Sequence, residues 1–352
     1  MIKPETSRPE TISVDAMGGD HGSCVTVPAA LQSLADIPGL NIILVGDEPL
    51  LQAEIKKHKP AVDIKARVTI RHTTEVVAMD EKPSMAMRNK KDSSMRVAVN
   101  LVKEGSADAC VSAGNTGALM AISRFVLKTY KNIDRPAIIF NLPTVSGHCH
   151  MLDLGANIDC TPEQLFQFGL MGSILSKAVD GNPNPSVALL NIGQEEMKGN
   201  EQIKRAAELL SAHPNINYIG YVEGNGIYQG AADVVVADGF IGNVALKTSE
   251  GLAKMIGSIL KEELGRNWLT KIGAFITMPI WKAVANRMDP GEYNGGTLIG
   301  LQGTVIKSHG SADIAAFSTA IRLASIEVDK NVPALIEKWF DSGDSLSIVQ
   351  NQ

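Results

Sequence analysis

Three stretches of the chain set glycine beside polar or charged residues at spacings that could carry chemistry. SAGNTGA (112–118) sets Gly114 and Gly117 around Asn115 and Thr116, directly before the helical run ALMAISRFVL. Glycines let the backbone approach a ligand. Asn115 or Thr116 can cap the helix, and free N–H groups at a helix start attract an anion. No Gly-Lys-Ser/Thr closes the loop and its spacing is not GxGxxG, so it is neither a Walker A loop nor a dinucleotide fingerprint. A tight turn before a capped helix is the plain alternative. KSHGSAD (307–313) offers Lys307, His309 and Ser311 to a phosphate or an oxyanion; otherwise Ser311 caps the next helix and His309 packs. SVDAMGGDHG (13–22) holds Asp15, Gly18, Gly19, Asp20 and His21 with no Lys or Arg, which leaves a turn, a metal site or an active-site floor open. No GxSxG elbow occurs, so a serine-hydrolase triad is disfavoured.

Further segments carry chemistry more weakly. MRNKKDSSMR (87–96) clusters Arg88, Lys90, Lys91 and Arg96 against Asp92, either as a solvated helix start or as an anion site. EGNGIYQG (223–230) contains GxGxxxG, but the strand-like ADVVVADG follows at once, so a loop is expected rather than a dinucleotide site. In LGRNWLTKIGAFITMPIWKAVANRMDP (264–290), Trp268, Leu269, Ile272, Phe275 and Ile276 share one helical face. Pro279 is expected to interrupt, and Ile280, Trp281, Val284 and Met288 form a second stripe. The charges from 266 to 288 are Arg266, Lys271, Lys282 and Arg287. Such a basic helical pair suits a membrane interface or a dimer interface.

The elements that must position these residues follow from alternation. Apolar bursts at 11–16, 40–47, 66–72, 108–114, 137–143, 151–157, 187–193, 217–224, 233–239 and 304–310 read as strands. Most are continuous in Val, Ile and Leu, as in a parallel sheet covered on both faces. Helical stretches at 162–178, 200–211, 241–264 and 312–326 lie between or after them. The expected class is α/β, three layers with a mostly parallel sheet. Ligands bind outside the carboxyl ends of such strands. If all run parallel, Asp15 with Gly18 and Gly19, Gly46-Asp47, Ser112 to Gly117, Asn141, Asp153 with Asn157, Asn191, Glu223, Asp238-Gly239 and Ser308 to Ser311 gather on one rim.

The 352 residues are 44% hydrophobic and 20% charged, with a formal net charge of −5. This is a globular composition, and it argues against a nucleic-acid partner. Cys24, Cys110, Cys149 and Cys160 form no CxxC pair and are expected as buried reduced thiols, in a cytoplasmic protein. No run of about 18 apolar residues is present, and the polar start lacks the core of a signal peptide. The expected organisation is a flexible tail (1–10), one catalytic domain (11–340) bearing the pair at about 264–290, and a second tail (341–352).

Together, SVDAMGGDHG, SAGNTGA, LDLGAN, VADGFIGNVALKT and GTLIGLQGTVIKSHGSA, in this order over about residues 11 to 326, resemble the bacterial phosphate acyltransferases of the PlsX family. One departure stands at YNGGTLIG, where Thr297 replaces the alanine expected in the family. The resemblance implies transfer of a fatty acyl group from acyl carrier protein to inorganic phosphate. The acyl phosphate formed serves phospholipid biosynthesis through a downstream glycerol 3-phosphate acyltransferase. It also implies a homodimer, peripheral membrane association and a fold like that of isocitrate and isopropylmalate dehydrogenases and phosphotransacetylase. No cofactor and no metal are expected. Phosphate is itself a nucleophile and a thiolate a tolerable leaving group, so position and charge stabilisation are what the protein must supply.

On this reading Asp15, Asn115 and His309 are the expected catalytic residues. Gly114, Thr116, Gly117, Lys307, Ser311 and Arg88 bind phosphate, and Gly18, Gly19, Asn157 and Asn243 complete a polar rim. Trp268, Phe275, Ile276 and Trp281 contact membrane or acyl chain. The rivals are an NAD(P)-dependent oxidoreductase on the same fold and a non-catalytic membrane scaffold for lipid enzymes.

Overall fold

The computed structural model describes residues 9–288, 291 and 293–341. In chain order the elements are β1 (Thr11–Asp15), α1 (Ser23–Asp36), β2 (Asn41–Gly46), α2 (Glu48–His58), α3 (Val62–Ala66), β3 (Val68–His72), α4 (Pro83–Asn89), α5 (Ser94–Lys103), β4 (Ala109–Ser112) and α6 (Thr116–Val126). A hairpin follows, β5 (Ala137–Thr144) and β6 (Gly147–Leu152), then α7 (Pro162–Val179), β7 (Ser186–Leu190), α8 (Glu201–Ala212), β8 (Asn217–Val222), α9 (Gly224–Gln229) and β9 (Val234–Val236). The chain ends with α10 (Gly239–Gly265), α11 (Trp268–Met288), β10 (Gly296–Ile299), β11 (Thr304–Lys307), α12 (Ile314–Lys330) and α13 (Val332–Asp341).

All these strands join one sheet in the order β3-β2-β1-β4-β11-β10-β5-β6-β9-β7-β8. Strands β1, β2, β4 and β11 consist of buried residues almost throughout, which is why their sequences are apolar runs instead of alternating ones. Burial of each Val, Ile or Leu contributes about 2 kcal/mol. Helices α1 and α12 cover one face beside α7, α8 and α13; α5, α6 and α9 cover the other. The three-layer α/β/α expectation is met.

The sheet is mostly, not wholly, parallel. β10 is antiparallel to both β11 and β5, and β5 is antiparallel to β6. Beyond that hairpin β6, β9, β7 and β8 are parallel to one another, so they point opposite to β1, β2, β3, β4 and β11. The single rim expected of a parallel sheet is therefore two rims. Apolar periodicity fixes which residues are buried but says nothing about strand direction.

Several expected boundaries move. The strand at 151–157 is β6, which ends at Leu152; residues 153–157 form a turn. Strand β10 (GTLI) lay hidden in a glycine-rich stretch, and 223–230 contains the six-residue helix α9 where a loop was expected. Pro279 does not interrupt: α11 continues through it, and the helical pair is α10 with α11. Cys24 is exposed, whereas Cys110, Cys149 and Cys160 are buried free thiols, as expected. Glu10 is tied down through its carbonyl, which accepts from Asn41 N at 2.8 Å. The rest of the first tail (1–8), most of the second (342–352) and the side chains of Arg287 and Met288 lie outside the described residues.

Candidate functional site

Register brings three strand ends together. Val14 lies beside Val111, Val111 beside Ile306, and Ser112 beside Lys307, so Asp15, Ser112 and Lys307 project in line from one face, toward α5 and α6. The Ser112 hydroxyl donates to Asp15 Oδ2 at 2.6 Å and accepts from Gly114 N at 3.1 Å. Asp15 Oδ1 is buried and accepts no hydrogen bond among the described residues. Burial pushes the Asp15 carboxyl above the usual carboxylate range, and the Ser112 and Ser94 hydroxyls pull it back.

Two glycines seat the first loop against the others. A Cβ on Gly18 would stand 2.5 Å from Asp15 Oδ2 and 2.9 Å from Gly114 N. Gly19 has φ +88°, and a Cβ there would meet Ala113 Cβ at 2.9 Å and Gly310 O at 3.0 Å. Asp20 N donates to Gly310 O at 2.8 Å, which closes the 15–20 loop onto the 308–311 loop.

Lys307 is buried and its ammonium donates to Ala113 O at 3.2 Å and to Ser308 O. Two of its three N–H bonds are thereby used. Burial brings the amine down to about 8, against the pull of Asp15. Ser308 is held in turn by Asn294, whose Nδ2 donates to Ser308 Oγ at 2.8 Å and whose Oδ1 accepts from His309 N at 2.9 Å. His309 is exposed. Its Nδ1 accepts from Ser311 N at 3.3 Å and pairs with Ser311 Oγ at 2.9 Å, which assigns the proton of the neutral ring to Nε2. Partial desolvation of the ring first, then Lys247 on α10, holds the imidazole below its ordinary value. Ser311 therefore orients His309 and does not cap α12; Asp313 does, through Ala316 N at 2.9 Å.

The 112–117 loop opens α6. Asn115 is its N-cap, Oδ1 accepting from Ala118 N at 3.0 Å, while Nδ2 donates to Met79 O and Glu81 O, each at 2.9 Å. Its amide is thus engaged with protein. The N–H groups of Thr116 and Gly117 make no hydrogen bond among the described residues and sit exposed at the positive end of the helix. Arg88 is exposed near the end of α4, whose first residue, Pro83, abuts Gly117. Arg96 leaves the 87–96 cluster and stacks 5.0 Å from the Phe125 ring centroid.

Asn157 and Asn243 belong to the other rim. Asp153 is buried and accepts from Ile138 N at 2.9 Å, Asn157 N at 2.7 Å and Asn157 Nδ2 at 2.9 Å. Asn243 lies against Gly155. A Cβ on Gly242 would fall 2.0 Å from Asp153 O, so α10 starts flush on this turn. The helix then runs back across the sheet: Lys247, Glu250 and Lys254 make themselves felt at His309, and Lys247 Nζ pairs with Glu250 at 2.9 Å. Sequence reading missed Ser112 as the partner of Asp15, Asn294 as the clamp, and the Lys247–Glu250–Lys254 face. The i, i+3, i+7 spacing of that last set was its available signal.

Trp268, Phe275 and Ile276 are 69%, 76% and 72% exposed on α11, and Trp281 is partly covered, its Nε1 donating to Thr277 Oγ1 at 2.9 Å. Phe240, Ile241, Leu252, Met255 and Ile259 of α10 are exposed as well. No helix among the described residues is long and apolar enough to cross a membrane. The Thr297 departure has a partner: its hydroxyl donates to Glu327 Oε1 on α12. Asp15, Asp20 and His21 form no metal-ligating group.

Glycine loops, a helix start and a buried lysine thus meet at one rim of a three-layer α/β protein. The same fold is found in the EutD phosphotransacetylase from Staphylococcus aureus (17% identity, 91% of this chain and 94% of that one, TM-score 0.59). A phosphotransacetylase from Streptococcus pyogenes has it too (17% identity, 91% and 94%, TM-score 0.60). The family model described as fatty acid synthesis protein matches residues 10–335. The phosphate acyltransferase of Nitrosococcus oceani is 57% identical over 337 residues, 95% of this chain and 98% of its own. The chain belongs to this family, the phosphate acyltransferases, and is an acyltransferase that passes an acyl group to phosphate.

Proposed function

We propose that inorganic phosphate binds between the start of α6 and Lys307, and receives the acyl group of an acyl-acyl carrier protein there. The observation that carries this reading is the convergence of the 15–20, 112–117 and 308–311 loops on one buried ammonium with an uncommitted N–H. The N–H groups of Thr116 and Gly117, the helix dipole and Lys307 supply positive potential for the phosphate. Gly114 and Asn115 shape the loop, since their polar groups are occupied by Ser112, Ala118, Met79 and Glu81. Arg88 and the Lys247–Lys254 face are suited to steering the acidic phosphate and carrier protein.

A phosphate oxygen attacks the thioester carbon, and the carbonyl oxygen takes the charge. The neutral His309 Nε2–H faces that oxyanion. Collapse breaks the C–S bond, the carrier thiolate leaves, and the proton lost by phosphate ends on the thiol. Asp15 holds Ser112 and, through it, the 112–117 loop; its charge also keeps Lys307 protonated. The α10–α11 arm offers Trp268, Phe275 and Ile276 to the acyl chain or to a bilayer surface that receives the product, and a homodimer interface on the same arm is the second use its exposed face supports.

Phosphate-dependent release of carrier-protein thiol is the test. His309→Gln is expected to lower kcat by about 100-fold, the usual worth of one oxyanion donor, and Lys307→Met to raise the KM for phosphate with folding intact. Wild-type kinetics in both would remove this site. Trp268→Ala with Phe275→Ala is expected to reduce cosedimentation with anionic vesicles; unchanged binding together with a dimer that dissociates would transfer the arm to the dimer.

A further inference from the structure

On the α7 face of the sheet, opposite Lys307, two histidines two residues apart on β6 meet the end of α7. His148 Nε2 lies 3.1 Å from Asp180 Oδ1, and His150 Nε2 lies 2.6 Å from Asp180 Oδ2. The two rings stand edge to face with centroids 5.1 Å apart. His150 is buried, whereas the His148 and Asp180 side chains are 34% and 23% exposed, so the cluster opens to solvent on one side. Ser176 Oγ donates to Asp180 Oδ2 at 2.8 Å and fixes the carboxylate. Asp180 is the C-cap of α7, where the helix adds partial negative charge to its own.

Two imidazole nitrogens and a carboxylate oxygen all lie within 4.8 Å of one another, and this is the one group of His, Cys, Asp or Glu so disposed among the described residues. Both rings turn the same nitrogen to a single carboxylate. Two imidazoles with one carboxylate suit zinc, cobalt or nickel rather than magnesium or calcium, which take oxygen ligands. In a tetrahedral site with metal–nitrogen bonds of about 2 Å, neighbouring ligand atoms stand about 3.3 Å apart. The 3.1 Å and 2.6 Å contacts fall on different oxygens of Asp180, so a small shift of the carboxylate must bring one oxygen to a common ligand distance from both rings. Three protein ligands leave the fourth position for water.

We infer that His148, His150 and Asp180 bind one divalent transition-metal ion of the zinc class, which clips the β5–β6 hairpin to the end of α7. Its place on the face away from Lys307 makes the ion structural and leaves acyl transfer to the loops described above.

The full chain, stripped with a chelator, is titrated with Co2+ and followed by visible absorption. One equivalent is expected to give the ligand-field bands of a four- or five-coordinate site, without the thiolate charge-transfer band that a Cys24 site would add, and Zn2+ is expected to displace it. The thermal midpoint is expected to rise with Zn2+. His148→Gln, at the exposed ligand, is expected to weaken Co2+ binding at least 100-fold and abolish the Zn2+ stabilisation while thiol release in the absence of metal stays unchanged; Asp180→Asn is expected to do the same to binding. Absence of stoichiometric Co2+ binding, or binding that His148→Gln leaves as in the wild type, would overturn the inference.

Discussion

Asn115 gives the sharpest separation of structural from chemical roles. Its Oδ1 caps α6 at Ala118 N and its Nδ2 ties α6 to the carbonyls of Met79 and Glu81. Removing the cap costs about 1 kcal/mol. Each of the two amide–carbonyl bonds contributes about 1 kcal/mol net. Asn115→Ala is therefore expected to cost about 3 kcal/mol, which for a chain of this size lowers the melting temperature by about 4 °C. Asn115→Ser retains a cap oxygen and loses the two donors, so about 2 kcal/mol and about 3 °C are expected. Because Pro83, just beyond the tied segment, abuts Gly117, untying it loosens the start of α6, where phosphate is proposed to bind. The KM for phosphate is expected to rise in both variants, more in Asn115→Ala, with kcat within about threefold of wild type at saturating phosphate. Calorimetry and the thiol-release assay read the two effects separately. An unchanged melting temperature with a collapsed kcat would refute this reasoning and return Asn115 to direct contact with substrate.

Other expectations follow from the same geometry. Burial raises the Glu327 carboxyl to about 8 from an ordinary 4.5. The folded state then keeps a proton that the unfolded state releases, so this group's contribution is full below about pH 4.5 and is lost as pH rises toward 8, by up to tenfold in the folding equilibrium per pH unit. Urea unfolding of Glu327→Gln is expected to show a flatter pH dependence over that window; parallel curves would refute it. With Lys307 near 8, the KM for phosphate is expected to climb as pH passes 8, and Lys307→Met to flatten that limb in a pH–KM profile. Gly18→Ala drives a methyl toward Asp15 Oδ2 and is expected to abolish thiol release, whereas Gly251→Ala in α10, where a Cβ meets nothing within 4 Å, is expected to stabilise by about 0.5–1 kcal/mol in a melting assay.

The sequence reveals burial better than direction. Runs such as NIILVG and SVALL are recognisable as strands because both faces are covered, and Asp15, Lys307 and His309 are conspicuous as polar residues ending apolar runs. Asn157 and Asn243 looked equivalent to them. The β5–β6 reversal sends them to the opposite rim, where they anchor the start of α10, and no local pattern announces that reversal. Strand β6 was displaced in the sequence reading because His148 and His150 break its apolar run. Asn294 escaped notice, and Ser112 was read only as part of the loop at its strand end, because their importance depends on register: only when Val14 lies beside Val111 does Ser112 fall against Asp15. Thr297 looked like a loop variation until α12 brought Glu327 onto it.

The strand order carries a consequence for the chain during synthesis. Strands β10 and β11 occupy the middle of the sheet, between β4 and β5, yet they lie at residues 296–307, after every other strand has left the ribosome. Until then the nascent chain holds two half-sheets with unpaired inner edges, the apolar ACVS of β4 and the AIIF of β5. Such edges invite wrong partners. Two late four-residue strands seal both at once, and the same event brings Lys307 onto the Ala113 carbonyl, so a truncated chain lacks the closed sheet and the ammonium proposed to bind phosphate together.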